Sequence, residues 1–170
     1  MIRHSFSDAP RLFRLFVYGT LKRGYWNHET YCGSAVSVEE ATVRGRLHGL
    51  PSGIPVLEVP DEDILAVGTD DPVADARMQE SIIVPDASHD QPGWHTIHGE
   101  IITFSNPGLC VPPIDRLESF RPNRFSLYVR VLLAVAVSSG LVASWCYIGS
   151  NQHVLSAVPL KSLSWHPRGG

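Results

Sequence analysis

Two places in this chain bring together residue types suited to chemistry on an acyl or anionic group. The first is Tyr18-Gly19-Thr20-Leu21. It follows the short apolar run Arg14-Leu15-Phe16-Val17-Tyr18, which reads as a strand, and precedes Asn27-His28-Glu29-Thr30, a capping residue and a helix start. A strand that breaks at a glycine aims successive N–H groups at one ligand oxygen, which suits anion binding or an oxyanion hole. The second place is Glu118, with Ile114 one turn before it and Leu117 and Phe120 flanking it. A carboxylate at the buried end of a helix among such neighbours is desolvated. Its pKa rises above the ordinary value of about 4.3, toward the roughly 6 to 7 that suits a general base. Helical spacing by itself leaves a second reading open, in which Asp115 and Glu118 are exposed helix residues beside Arg116.

Other chemistries fail on residues. Gly24 is followed by Tyr25 and Trp26 where a Walker A loop needs lysine and serine or threonine, and Gly19 and Gly24 alone do not make G-x-G-x-x-G. No serine sits in G-x-S-x-G, and no H-E-x-x-H occurs. On a strand His95 and His98 point to opposite faces, while His98 and Glu100 share one but lack a third ligand. The chain is therefore expected to hold neither a metal nor an organic cofactor.

Composition bounds the partners. The 170 residues suit one domain, with 44% hydrophobic residues and a net charge of −3. No lysine–arginine cluster marks a nucleic-acid or membrane surface. Cys32, Cys110 and Cys146 are widely spaced with no C-x-x-C, which favours reduced, mostly buried thiols in a cytoplasmic protein. Residues 1–10 lack the apolar core of a signal peptide. The uncharged stretch Val131–Gly149 approaches the length of a membrane span, but Ser138-Ser139-Gly140 divides it into two β-rich runs, so it is predicted to be a buried hairpin.

These segments must be positioned by a scaffold in which strands outnumber helices. Strands are predicted near Arg14–Tyr18, Thr42–Leu50, Trp94–Phe104 and within Leu127–Ile148, with short helices near Asn27–Cys32 and Pro112–Glu118. The pattern implies an α+β domain around a small, mostly antiparallel β-barrel, spanning about 11–150. Within it, 61–93 carries many acidic residues, Arg77 and interspersed prolines, and reads as an insert with a solvated acidic face. Residues 151–170 read as a loosely packed tail.

Tyr18-Gly19-Thr20-Leu21-Lys22-Arg23-Gly24 resembles the signature of the γ-glutamylcyclotransferase-like (AIG2-like) family. Three further segments are similar to that family in the same order. They are Val43–Leu50 with Gly53-Ile54-Pro55-Val56, then Ile97-His98-Gly99-Glu100-Ile101-Ile102, and then Ile114–Glu118 followed by Tyr128-Val129-Arg130. The resemblance implies Glu118 as the catalytic glutamate, a substrate-binding turn at Tyr18, Gly19, Thr20 and Leu21, and Tyr128 as a pocket tyrosine. It implies release of 5-oxoproline and a free amine or amino acid from a small γ-glutamyl compound. The substrate's own α-amine would attack its γ-carbonyl, and well-oriented intramolecular attack is worth about 7 to 11 kcal/mol. That chemistry needs a proton carrier and N–H donors for the oxyanion rather than a protein nucleophile, each donor being worth roughly 3 to 4 kcal/mol. Two departures stand out: the stretch between Glu118 and Tyr128 is long, and Ser119 replaces a glycine common after the glutamate. The alternatives are a non-catalytic module binding a small carboxylate or other anion on the same scaffold, and a protein-interaction module using the acidic 61–93 segment. The leaving amine and the oligomeric state are not specified by these residues.

Overall fold

A computed structural model of the chain describes residues 11–86, 92–151, 154 and 157–167. The readings made for residues 1–10 and for the 87–91 part of the acidic segment lie outside the described residues. In chain order the elements are β1 (Phe13–Val17), α1 (His28–Cys32), β2 (Ser37–Gly49), β3 (Pro55–Glu58), a 3-10 turn (Asp61–Asp63), β4 (Ala66–Val67), α2 (Pro72–Ser81), β5 (His95–Phe104), α3 (Pro107–Leu117), β6 (Tyr128–Val137), β7 (Gly140–Gly149) and β8 (Val158–Pro159).

Five strands close into a barrel in the order β2-β5-β1-β7-β6, with Thr42 paired to Ala136 completing the circuit. All neighbours run antiparallel except β1 and β7, which are parallel with Leu15 beside Trp145 and Phe16 beside Cys146. Strands β3, β4 and β8 extend the barrel wall. The fold is α+β, as the sequence predicts. The Val131–Gly149 stretch is the β6–β7 hairpin, turning between Val137 and Gly140. No helix among the described residues is long and apolar enough to cross a membrane.

Period-two alternation divides each barrel strand between two cores. Phe16, Tyr18, Val43, Ile97, Val135 and Cys146 belong to one, which fills the barrel. Phe13, Leu15, Ile102, Leu132, Trp145 and Tyr147 belong to the other, which Cys32 of α1, Ala76 of α2, and Val111 and Ile114 of α3 cover from outside. Each large side chain buried this way contributes roughly 1.5–3 kcal/mol. Because β1 is buried on both faces, Leu15-Phe16-Val17 within it reads as an unbroken apolar run.

Three elements differ from expectation. Helix α3 begins at Pro107, five residues before the predicted start, and holds Pro112 and Pro113 in its interior. Each proline removes one helical N–H bond, so the last turn depends on packing by Val111 and Ile114. The acidic segment is not simply a solvated face. Asp71 caps α2 by accepting from the N–H groups of Val73 and Ala74, both at 3.1 Å, and α2 buries Asp75, Ala76 and Gln79 against the barrel. Gln79 bonds the β1 end from both sides of its amide, accepting from Arg14 N at 2.8 Å and donating to Leu12 O at 3.1 Å. Asp75 in turn meets Arg130, which has no solvent exposure. The tail is anchored as well: β8 pairs with β2, Leu160 N donates to Leu47 O at 2.8 Å, and Trp165 is buried.

Candidate active site

One cavity of about 340 Å3 opens where the end of β1, the β2–β3 loop, the end of α3 and the start of β6 converge. Its lining includes Tyr18, Gly19, Thr20, Leu21, Glu118 and Tyr128, so residues a hundred positions apart face one space. Leu50, Ile54, Leu117 and Leu127 supply apolar wall.

Glu118 is the residue that caps the C-terminal end of α3. Its N–H donates to Ile114 O at 2.9 Å, Ser119 N donates to Arg116 O at 3.2 Å, and Phe120 N donates to Asp115 O at 2.8 Å. This paired closure requires a left-handed residue after the cap, and Ser119 takes it with φ 54°. The position is therefore one where glycine is the unstrained choice, and serine carries a steric cost there. The Glu118 carboxylate is half-buried, and burial pushes its pKa up from 4.5 to about 7. The carbonyl-rich end of α3 acts in the same direction, since a helix C-terminus disfavours an anion. Among the described residues no hydrogen bond or ion pair engages that carboxylate. The nearby cation Arg130 is committed elsewhere, donating to Asp75 Oδ2 at 2.7 Å and to both oxygens of Asp115, at 2.9 and 3.2 Å.

The turn opposite is held from behind and open in front. Lys22 N donates to Gly19 O at 3.1 Å, and Asn27 grips Thr20 twice, backbone to carbonyl at 3.2 Å and Nδ2 to Oγ1 at 2.9 Å. His28 Nδ1 bonds Leu21 O at 2.7 Å. The N–H groups of Gly19, Thr20 and Leu21 meet no acceptor among the described residues. Gly19 does not serve the role that its place after a strand suggests. Gly24 is the turn residue with positive φ, at 84°, while a Cβ on Gly19 would lie 3.0 Å from Pro55 Cγ. Close approach of Pro55 at the start of β3, not a left-handed backbone, accounts for that glycine.

The two tyrosines expected at the site differ in orientation. The Tyr18 ring lies in the barrel interior, where its hydroxyl donates to Tyr147 O at 2.7 Å and accepts from Leu57 N at 3.2 Å. Only its backbone is offered to the cavity as a polar group. Tyr128 sits on the outer face, lines the cavity, and donates to Pro55 O at 2.9 Å. The long stretch before it folds back on itself: Ser126 Oγ accepts from Arg121 N at 2.9 Å, and Asn123 adopts φ 60°. The extra residues are absorbed in that excursion and Tyr128 returns to the cavity.

A family profile described as gamma-glutamyl cyclotransferase, AIG2-like, matches residues 15–167, nearly the whole chain. This chain belongs to that family. Among solved structures, an AIG2-like protein from Mus musculus superposes with a TM-score of 0.55 at 20% identity, covering 94% of this chain and 91% of that one. YkqA from Bacillus subtilis superposes at 0.54 with 21% identity over 91% of this chain, which spans only 39% of YkqA. At these identities the structures establish the shared fold. No curated protein gives a significant match.

In this AIG2-like chain several site residues escape sequence reasoning. Tyr147 lines the cavity and donates its hydroxyl to Asp115 Oδ1, joining the site to the Arg130 cluster. Its signal is hidden because its neighbours in β7, Trp145, Cys146 and Ile148, are all apolar. Asn27 reads as a helix cap in sequence, yet its side chain braces Thr20. Trp165 is the least expected. Its Nε1 donates to Gly53 O at 3.1 Å, its carbonyl accepts from Lys22 Nζ at 2.9 Å, and its ring meets Tyr25 and Trp26 at 5.5 and 5.9 Å between centroids. One tail residue thus ties together the two loops that frame the cavity. Trp165→Ala is expected to raise KM about tenfold while leaving kcat within about threefold, since the clamp positions walls and touches no reacting atom. Steady-state kinetics check this, and an unchanged KM would refute it. The Glu100 carboxylate also reaches the turn region, accepting from Arg23 N and Arg23 Nε, each at 2.7 Å.

Proposed function

We propose that this AIG2-like protein cyclises a small γ-glutamyl compound, releasing 5-oxoproline and the amine it carried. The observation that carries the reading is a carboxylate pushed up to about 7 by burial and facing one cavity with a turn, where neither that carboxylate nor the turn's three N–H groups have a partner among the described residues. In this scheme the Glu118 carboxylate takes a proton from the substrate's α-ammonium. The freed amine attacks the γ-carbonyl carbon, and the turn's N–H groups receive the developing oxyanion or hold the α-carboxylate. The tetrahedral intermediate then collapses with cleavage of the original C–N bond, and the Glu118 proton passes to the departing nitrogen. The ring nitrogen keeps one hydrogen more than the lactam needs; Glu118 takes that second proton and passes it to the released amine, which departs as an ammonium, so protons balance and the carboxylate returns to its starting state. A group with pKa near 7 serves both halves at neutral pH, because it accepts and releases a proton with little energetic penalty.

A panel of γ-glutamyl amino acids and γ-glutamyl amines, assayed for 5-oxoproline, tests the reading. Turnover of at least one member is expected, with no added metal or cofactor. Folded protein that binds these compounds without releasing 5-oxoproline would instead favour the binding-module alternative.

A further inference from the structure

The cavity does not end at Glu118. Ser119 and Leu127 line it and also line a second depression of about 480 Å3 on the other side of the α3 terminus. That groove holds three ionisable side chains, Asp115, Arg116 and Arg121. The Asp115 carboxylate is already occupied by Arg130 and Tyr147. The Arg116 and Arg121 guanidinium groups have no partner among the described residues and are exposed. The groove therefore presents two uncompensated cations next to the proton carrier. Among its other lining residues, Phe125 is 69% exposed and Leu127 is 45% exposed, so both offer apolar surface to a ligand.

We infer that this groove is the leaving-group subsite, in which Arg116 and Arg121 bind a carboxylate on the departing amine while Phe125 and Leu127 cover its apolar body. The inference rests on the cyclisation proposed above and narrows its substrate to γ-glutamyl derivatives of apolar amino acids. The geometry supports it because Ser119 and Leu127 line both the cavity and the groove, so a leaving group directed past them passes from one into the other. Guanidinium groups suit a carboxylate for their planar, forked donors and permanent charge. A cationic amine would meet like charge there.

The test compares γ-glutamyl-phenylalanine with γ-glutamyl-phenylalanine amide, which differ only in that carboxylate. For the intact protein kcat/KM is expected to favour the acid at least tenfold. In the Arg116→Gln/Arg121→Gln double variant the preference should vanish through loss on the acid alone, with the amide unaffected and the fold intact because both side chains are exposed. Calorimetric binding of the same two ligands to Glu118→Gln protein, with and without the double substitution, provides a readout independent of turnover. Preference in binding to the Glu118→Gln protein, together with no 5-oxoproline release by the intact protein, would sink the cyclisation and leave the subsite standing. Equal binding of acid and amide, binding of neither, or a preference that survives removal of both arginines would overturn the subsite.

Discussion

Glu118→Gln is expected to lower 5-oxoproline release by 10² to 10⁴-fold, about 3 to 5 kcal/mol, while making the fold more stable at neutral pH. The loss follows from removing the proton carrier while keeping its shape, so KM should move far less than kcat. The stabilisation follows from the same burial. Glu118 has a folded-state pKa of about 7 against an ordinary 4.5, so between those values the native state holds a proton that the unfolded chain has released. Stability therefore falls as pH rises through that window, and the full cost of the buried charge is present above pH 7. Glutamine carries no such cost. After discounting for residual solvent contact, the variant should gain about 1–2 kcal/mol at pH 8 and nothing at pH 4. Urea midpoints at the two pH values measure this, and kcat/KM of the intact protein should show an acid limb near 7 that the variant lacks. A substitution at exposed Glu39, remote from the cavity, serves as the control. Equal midpoints at pH 8, with activity retained, would remove Glu118 from the role of base.

The largest loss of stability is expected from Arg130→Met. Arg130 is fully buried, bonded to Asp75, Asp115 and Thr69 O, and packed beneath the rings of Phe13, Phe120 and Trp145 at 5.1–5.7 Å. Burial works to lower its pKa, but the paired carboxylates of Asp115 and Asp75 outweigh that and keep it charged. Removing the cation leaves Asp75, 2% exposed, and the half-buried Asp115 without a countercharge. Breaking a buried pair from one side costs about 3–5 kcal/mol, a large share of the roughly 5–15 kcal/mol that holds a domain together. Chemical denaturation should show it directly. Arg11→Gln supplies the contrast: its pair with Glu80 at 2.9 Å is between exposed side chains, and such pairs are worth about 0–1 kcal/mol. Arg130 joins Asp75 of α2 to Asp115 of α3, and comparable losses in the two variants would show that this buried cluster does not anchor those helices. Loosening Asp115 also frees Tyr147, so whatever activity survives in Arg130→Met should show a raised KM.

Much of this architecture was legible along the chain because it depends on local patterns. The strand at Phe13–Val17, the Ser138-Ser139-Gly140 turn and the apolar neighbours of Glu118 each carry their information within a few residues. Ordered motif segments sufficed to suggest the family, since spacing in sequence survives without coordinates. Helical spacing leaves Glu118 open between a desolvated and an exposed carboxylate; burial in the folded chain decides for the first and pushes its pKa up. Helix α3 was misplaced at its start because Pro112 and Pro113 imitate a first turn, and only packing against the barrel shows why they are tolerated inside a helix.

What tertiary structure alone decided is where charges and hydroxyls go. The sequence of 61–86 offers many acids and no sign that Asp75 is buried on Arg130, because that partner lies 55 residues away. Tyr18 and Tyr128 look equivalent as letters. Strand parity sends one ring into the barrel and the other to the cavity, and parity is known only once the register is. Trp165 reads as tail until its indole is found bonding Gly53, 112 positions earlier. Local sequence determined which elements form, since those follow from the nearest side chains. Closure of the barrel decided which polar groups are consumed in holding it together and which are left facing the cavity, since long-range pairing is a property of the folded chain alone.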